Sequence, residues 1–258
     1  MQKETKINTL LQKWPKNTVA VYSWLKDNGI SKSLAEYYKK SGWFDSFGVG
    51  AFMRRGDVVN EFGSLFTLQN YLKLPVHIGG SSALNLQGMS HYIRGEKSVT
   101  QIFNEYKSPI PSWFKKSDSF KVQIYNTNFL PAHKYLVTKS DIESHQLKIS
   151  SPERAILEVL YLCPDQFDLV EAFHIVENLV SLRPKVLQDL LENCNSIKVK
   201  RLACFIFEKV GYEWFKFLDL SKIDFGSGNR KIVKNGSYDA KYKIIIPKEL
   251  KNGDNTTI

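Results

Sequence analysis

Apolar positions in the first third of the chain recur first at helical spacing and then at strand spacing. Ile7, Leu10, Leu11 and Trp14 fall at i, i+3, i+4 and i+7, which predicts an amphipathic helix over residues 5–14 closed by Pro15. Val21, Trp24 and Leu25 make a second, shorter stripe. Asn28-Gly29 ends it, because glycine takes the left-handed conformation past a helix at little cost. Ile30 fills the turn, and Ser31 offers a side-chain cap to a third helix. On that helix Leu34, Tyr38 and Ser41 share the face expected to be buried. Lys32, Glu36, Lys39 and Lys40 fall on the opposite face, with Ser33 and Tyr37 at its margins. Residues 43–47 and 51–55 then read as two strands around Gly48-Val49-Gly50, a glycine hairpin with Arg54-Arg55 at its exit. Helix, glycine turn, basic helix and basic hairpin follow in the order of a winged helix-turn-helix, whose second helix enters the DNA major groove.

Farther along, residues 58–72 read as a helix with Val58, Phe62, Leu65, Phe66 and Leu72 inward, and 74–78 as a strand. Gly79-Gly80-Ser81 turns the chain into a helix over 82–86, and 88–96 is a connection. The runs 98–103, 120–125, 134–138 and 146–149 mix β-branched and aromatic residues and read as strands, Pro109 and Pro111 breaking the chain between the first two. Ser150-Ser151-Pro152-Glu153 signals a helix start, with helices expected over 152–162, 169–179, 184–193 and 197–210. In the tail, Gly226-Ser227-Gly228-Asn229-Arg230 is an exposed turn, and 231–233 pairs with 242–246 as a hairpin across Asn235-Gly236. The expected class is α+β: an N-terminal winged helix-turn-helix domain over 1–92, then a larger mixed α/β domain over 93–251 with a β-rich first part and a helical second part, and a tail of 252–258.

Charge sharpens this picture. The net charge of +10 is concentrated at the two ends. Residues 1–60 carry ten Lys/Arg against five Asp/Glu, residues 61–195 thirteen against fourteen, and residues 196–251 thirteen against six. Such surfaces attract phosphate backbones through counterion release, a term that carries no base-sequence information. Lys198, Lys200 and Arg201 stand where a helix starts, a position whose dipole disfavours cations. That clash points to a phosphate or acidic partner, against the plainer reading of solvated side chains. No run approaches a membrane span and the N-terminus lacks a signal-peptide pattern, so a cytoplasmic protein is expected.

Catalytic constellations are scarce. His77, His91, His133, His145 and His174 are scattered without metal-ligand spacing, and His174 reads as a core histidine. Asp165, Asp168 and Glu171 cluster at a helix start, as the dipole favours. Cys163, Cys194 and Cys204 lack CxxC spacing and read as buried thiols. The glycines at 79–80 precede a helix but fit no phosphate-loop pattern, so a tight strand-to-helix turn is the expected reading. No catalytic residue, metal ligand or cofactor is expected, and the chain is not read as an enzyme.

Several stretches together resemble one family. SWLKDNGISKSLAEYYKKSGWFDSFGVGAFMRRGD and LPVHIGGSSALNLQGMSHYI are similar to the N-terminal domain of AbiEi-type antitoxins. ISSPERAILEVLYLCP, LVSLRPKVLQDLLENCNSIKVKRL and DLSKIDFGSGNRKIVKNGSYDAKYKIIIPKEL are similar to that family's C-terminal domain. The resemblance implies an antitoxin of a type IV toxin–antitoxin (abortive infection, phage defence) system that binds inverted repeats in its own promoter and represses it. It also implies a nucleotidyltransferase toxin as functional partner, opposed without a stable complex; a monomer assembling on DNA is compatible with this. Carried over by position, the recognition helix is 31–41, with Arg54 and Arg55 in the wing. Lys32, Ser33, Glu36, Tyr37 and Lys40 are then the major-groove candidates, and Lys39, Arg54 and Arg55 the phosphate or minor-groove ones. Lys198, Lys200, Arg201, Arg230, Lys231 and Lys234 form a candidate C-terminal basic face. Two other readings stand beside this one: an antitoxin that clasps an acidic toxin surface directly, and a nucleic-acid-processing enzyme with a winged-helix targeting domain.

Overall fold

The computed structural model describes residues 5–89 and 99–251. The first elements are α1 (Lys6–Lys13), β1 (Ala20–Val21), α2 (Tyr22–Asp27), α3 (Lys32–Lys40), β2 (Phe44–Gly48), β3 (Ala51–Arg54), α4 (Glu61–Asn70), β4 (Val76–Ile78) and α5 (Gly80–Leu86). There follow β5 (Thr100–Glu105), α6 (Ser112–Lys115), β6 (Val122–Thr127), β7 (Leu136–Ile142), β8 (His145–Ser150), α7 (Pro152–Leu162), α8 (Leu169–Glu177), α9 (Pro184–Glu192) and α10 (Ile197–Val210). Two short 3-10 turns, β9 (Arg230–Lys231), β10 (Ser237–Asp239), β11 (Ile244–Ile246) and α11 (Lys248–Lys251) close the chain. The fold is α+β and divides into two compact units. One comprises Met1–His77, Ser98–Asn126 and Thr138–Lys148, the other Ile78–Lys97, Thr127–Val137 and Ile149–Ile258. The expected boundary at 92, the end of the connection after Met89, and His91 lie outside the described residues.

The first unit is built around a core of Ile7, Leu10, Trp14, Ala20, Leu25, Ile30, Ala35, Tyr38, Phe44 and Phe52. Phe44 is its centre, edge-on to Trp14 at 5.1 Å and to Tyr38 at 5.5 Å between ring centroids. Such aromatic pairs add directional attraction to burial. The hairpin β2–β3 is joined by β1, which pairs antiparallel with β3 at Ala20 and Phe52. Helix α4 starts later than its apolar pattern suggests. Asn60 caps it through Phe62 N and Gly63 N, both at 3.1 Å, and this leaves Val58 exposed instead of inward. Thr67 Oγ donates to the Val19 carbonyl at 2.6 Å, and a Cβ at Gly63 would run into the carbonyl oxygen of Asn17, so α4 lies tight against the segment before β1.

A five-stranded sheet orders its strands β6-β5-β4-β8-β7, with β4 and β8 parallel. The buried Gln69 amide stitches the latter two, donating to Val76 O and Lys148 O and accepting from Lys148 N at 2.9–3.0 Å. Strands β7 and β8 run longer than expected because Glu143-Ser144 supplies the turn, both residues at positive φ. This geometry normally draws Asn-Gly, which is why the sequence does not announce it.

In the second unit α7 packs against α5, α8, α9 and α10. Ser151, Asp168 and Ser196 cap α7, α8 and α10, the first as its sequence signal predicts. The Gly79-Gly80 turn holds an anion after all, and it is the protein's own. Glu158, fully buried, accepts from Gly80 N at 2.9 Å and Ser150 Oγ at 2.7 Å while Arg154 Nε holds its other oxygen at 2.9 Å. The three cysteines are free and buried, and burial pushes the Cys163 and Cys204 thiols up to about 12, so they stay protonated and inert. His174 is not a core residue: it is exposed and pairs with Glu177 at 2.8 Å, one helical turn on. The expected hairpin across Asn235-Gly236 does not form. β11 pairs antiparallel with β10 and parallel with β9, and Gly236 is needed because a Cβ there would strike the Ile246 carbonyl.

Gly63→Ala should therefore destabilise the protein by about 3 kcal/mol, the upper range for overpacking a close contact. A urea unfolding midpoint unmoved by this exchange would show that the Gly63–Asn17 approach is not maintained in solution.

Candidate nucleic-acid interface

The turn between α2 and α3 is local chemistry throughout. Gly29 has φ +78, Ile30 N returns to Leu25 O at 2.9 Å with its side chain buried, and Ser31 Oγ accepts from Leu34 N at 3.2 Å. Helix α3 turns Ala35 and Tyr38 into the core with Leu34 against it. Ser41, expected on that buried face, lies past the last helical turn and is exposed. The outward face carries Lys32, Ser33, Tyr37 and Lys40, all exposed, Tyr37 at 62%.

Glu36 is placed differently from its neighbours. One carboxylate oxygen accepts the Tyr22 hydroxyl at 2.8 Å and the other meets Lys39 Nζ at 2.7 Å. The bond from Lys39 and then that from Tyr22 hold its carboxyl below the usual range. Lys32 Nζ lies 5.4 Å from the Tyr22 ring centroid. A tether of Tyr22, Glu36, Lys39 and Lys32 thus ties α2 to α3 across the turn. Ser33 is also engaged, its hydroxyl 3.0 Å from that of Ser31.

The two wing arginines part company. Arg55 is exposed and folds over Gly42, where a Cβ would come within 2.5 Å of its Nη1; it therefore sits at the C-terminal end of α3, two residues from Lys40. Arg54 turns inward and donates to Leu11 O at 3.3 Å and Trp14 O at 2.9 Å, the carbonyls that α1 leaves unpaired at its end. It holds α1 to the wing.

The wing itself has a support that the sequence did not reveal. Val49 projects from its tip, 89% exposed, while Gly48 lies against Trp113 of α6, whose Cβ is 2.6 Å from where a Gly48 Cβ would stand. Phe47 meets the same indole edge-on. Lys115 and Lys116 follow Trp113 and are exposed. Two prolines masked this short helix; the Trp113-Phe114 pair was the available signal.

The candidate C-terminal basic face is reduced by half. Lys198 Nζ donates to Tyr161 O at 2.7 Å and Cys163 O at 2.6 Å, at the C-terminal end of α7, and burial lowers its pKa. Lys200 and Arg201 are buried at 4% and 1%. Their helix-start position is tolerated because Lys198 and Arg201 reach past it to carbonyl oxygens elsewhere in the unit. Arg230, Lys231 and Lys234 are exposed. Among the described residues no group of His, Cys, Asp or Glu is arranged to hold a metal, and no helix is long and apolar enough to cross a membrane.

Residues 3–95 match the model of the transcriptional regulator, AbiEi antitoxin N-terminal domain, and residues 97–247 that of the transcriptional regulator, AbiEi antitoxin, type IV toxin–antitoxin system. The chain belongs to the AbiEi antitoxin family. Among solved structures, this AbiEi chain is similar to the RV2827C protein from Mycobacterium tuberculosis, at 14% identity with a TM-score of 0.61 over 93% of this chain and 89% of that one. At that identity the likeness speaks for the fold. No curated protein matches.

The tether has a titration consequence. Because the folded-state pKa of Glu36 lies below its ordinary value near 4.5, its contribution to folding is complete above that value and is lost as pH falls through the lower, folded one. Tyr22→Phe removes one of the two bonds, so the Glu36 pKa should rise in a carboxyl-resolved NMR titration. A pKa that stays in place would mean the hydroxyl is not bound to it.

Proposed function

We propose that this antitoxin is also a DNA-binding autorepressor that places α3 in the major groove of inverted repeats in its own promoter. The observation that carries this reading is the outward face of α3: Lys32, Tyr37 and Lys40 stand exposed with Arg55 folded against the helix end, on a rigid aromatic core. Lysines donate to guanine edges, and Tyr37 and Ser33 offer hydroxyls to either base type. Lys39 and Arg55 fit phosphates, and Lys39 and Lys40 also suit the negative end of the α3 dipole. Glu36, engaged through both oxygens, acts as a positioning residue that fixes the lysine heads. Lys115 and Lys116, beside the wing, extend the phosphate-facing surface, and Arg54 serves the fold. Antitoxin activity is assigned to residues 93–251, with a nucleotidyltransferase toxin as the functional partner.

Burial of Lys200 and Arg201 weighs against an antitoxin that clasps its toxin through a continuous C-terminal basic face. No stable complex with the toxin is expected. A stoichiometric complex that survives moderate salt after co-expression would reverse that assignment.

Gel shifts with promoter DNA over a salt series test the surface. Arg55→Ala should weaken binding and lower the slope of log K against log salt by roughly one, and Lys40→Ala should weaken binding and relax discrimination at the base it reads. Arg54→Ala should lower thermal stability, since it leaves the α1 carbonyls unpaired. Unchanged binding in both surface variants would remove α3 from the interface.

A further inference from the structure

The loop 226–229 of the second unit is shaped by a cation from below. Arg201, 1% exposed, donates through Nε to Phe225 O at 2.7 Å, through Nη2 to Gly226 O at 3.0 Å, and through Nη1 to Gly228 O at 2.6 Å and Lys243 O at 3.2 Å. Among the described residues no carboxylate lies within ion-pair distance of it, so the charge is balanced by carbonyl dipoles alone. A buried charge without a counterion is costly, and dipoles offset only part of that cost.

Turning these carbonyls inward has an outward effect. In a trans peptide the N–H points opposite to the carbonyl of the same plane. With Gly226 O and Gly228 O directed at the guanidinium, the N–H groups of Ser227 and Asn229 are directed away from it, and neither has a partner among the described residues. Gly226 and Gly228 adopt φ of +62 and +71, the left-handed conformation that turns backbone amides in tight loops. Concave runs of this kind bind anions. A Cβ at Gly228 would meet nothing within 4 Å, whereas one at Gly226 would press on the Ile197 side chain at 3.2 Å, so the loop is open on its Gly228 side. Arg230 and Lys231 follow directly, both exposed in β9. The Asp224 carboxylate is the opposing charge, and it is engaged with Gly226 N at 2.8 Å.

We propose that the 226–229 loop, with Arg230 and Lys231, is a phosphate-binding site distinct from the α3 surface. Its ligand is a phosphate group, free or carried on a nucleic-acid strand. The amides of Ser227 and Asn229 grip the oxygens, Arg230 and Lys231 supply charge and reach, and the buried guanidinium supplies a fixed positive field beneath.

The test uses the full chain labelled with nitrogen-15. Amide shifts of Ser227, Gly228 and Asn229 are followed while inorganic phosphate and, separately, a short single-stranded RNA are added. Saturable shifts with phosphate assign a free-anion site; shifts with the RNA alone assign a strand site; either supports the proposal. An Arg230→Ala/Lys231→Ala double variant should weaken the response by about tenfold or more, the loss expected from two charge-assisted contacts. In the inorganic-phosphate titration Lys40→Ala should leave it unchanged, whether or not α3 proves to bind DNA. No shift with either probe, or an equal response in the double variant, overturns it.

Discussion

Backbone carbonyl oxygens receive four of the inward-turning cations among the described residues, Arg154 sharing itself with the Glu158 carboxylate, and that interaction separates structural charge from surface charge. Arg54 closes the end of α1, Lys198 the end of α7, Arg154 the Pro131 and Lys134 carbonyls, and Arg201 the glycine loop. A guanidinium presents five donors in a fixed fork and suits several carbonyls at once, whereas an ammonium suits the tip of a helix. What remains outside is the set available to partners. An argument from a net charge of +10 must be made after this division.

Two groups of outward cations stand on backbone that is held from within. One, in the first unit, lies on and beside α3, stiffened by the Trp14, Tyr38 and Phe44 cluster and by the tether through Tyr22 and Glu36. The other, Arg230 and Lys231 in the second unit, lies on β9 beside the loop that Arg201 fixes. In each case a buried or half-buried network holds the backbone while exposed lysines and arginines keep rotamer freedom, which suits phosphate contacts that vary in register.

Local signals made the winged module legible: Gly29, Ile30 and Ser31 make their turn and capping hydrogen bonds within a few residues of themselves. The helix starts at Ser151 and Asp168 were legible for the same reason. What escaped depends on distant partners. Lys198 and Arg201 look solvated or ligand-seeking until Tyr161 and Phe225 are brought to them from 37 and 24 residues away. Asn235-Gly236 carries the sequence of a hairpin turn, yet Gly236 is there for an approach to Ile246, and β9 finds β11 in parallel. Glu143-Ser144 makes the tight turn without the expected residues. Half of the basic face was misassigned because chain position says where a side chain begins, not where it ends.

The seat of Gly48 on Trp113 carries a consequence for dissection of the molecule. The N-terminal family match stops at residue 95, yet the indole that backs the hairpin comes from within the next match. A fragment cut at that seam would keep every residue of α3 and lose the wall behind its β-ribbon. Phe47 would be bared to solvent, and the arm would swing. A loss of function in such a fragment would then report a missing brace, not a missing helix.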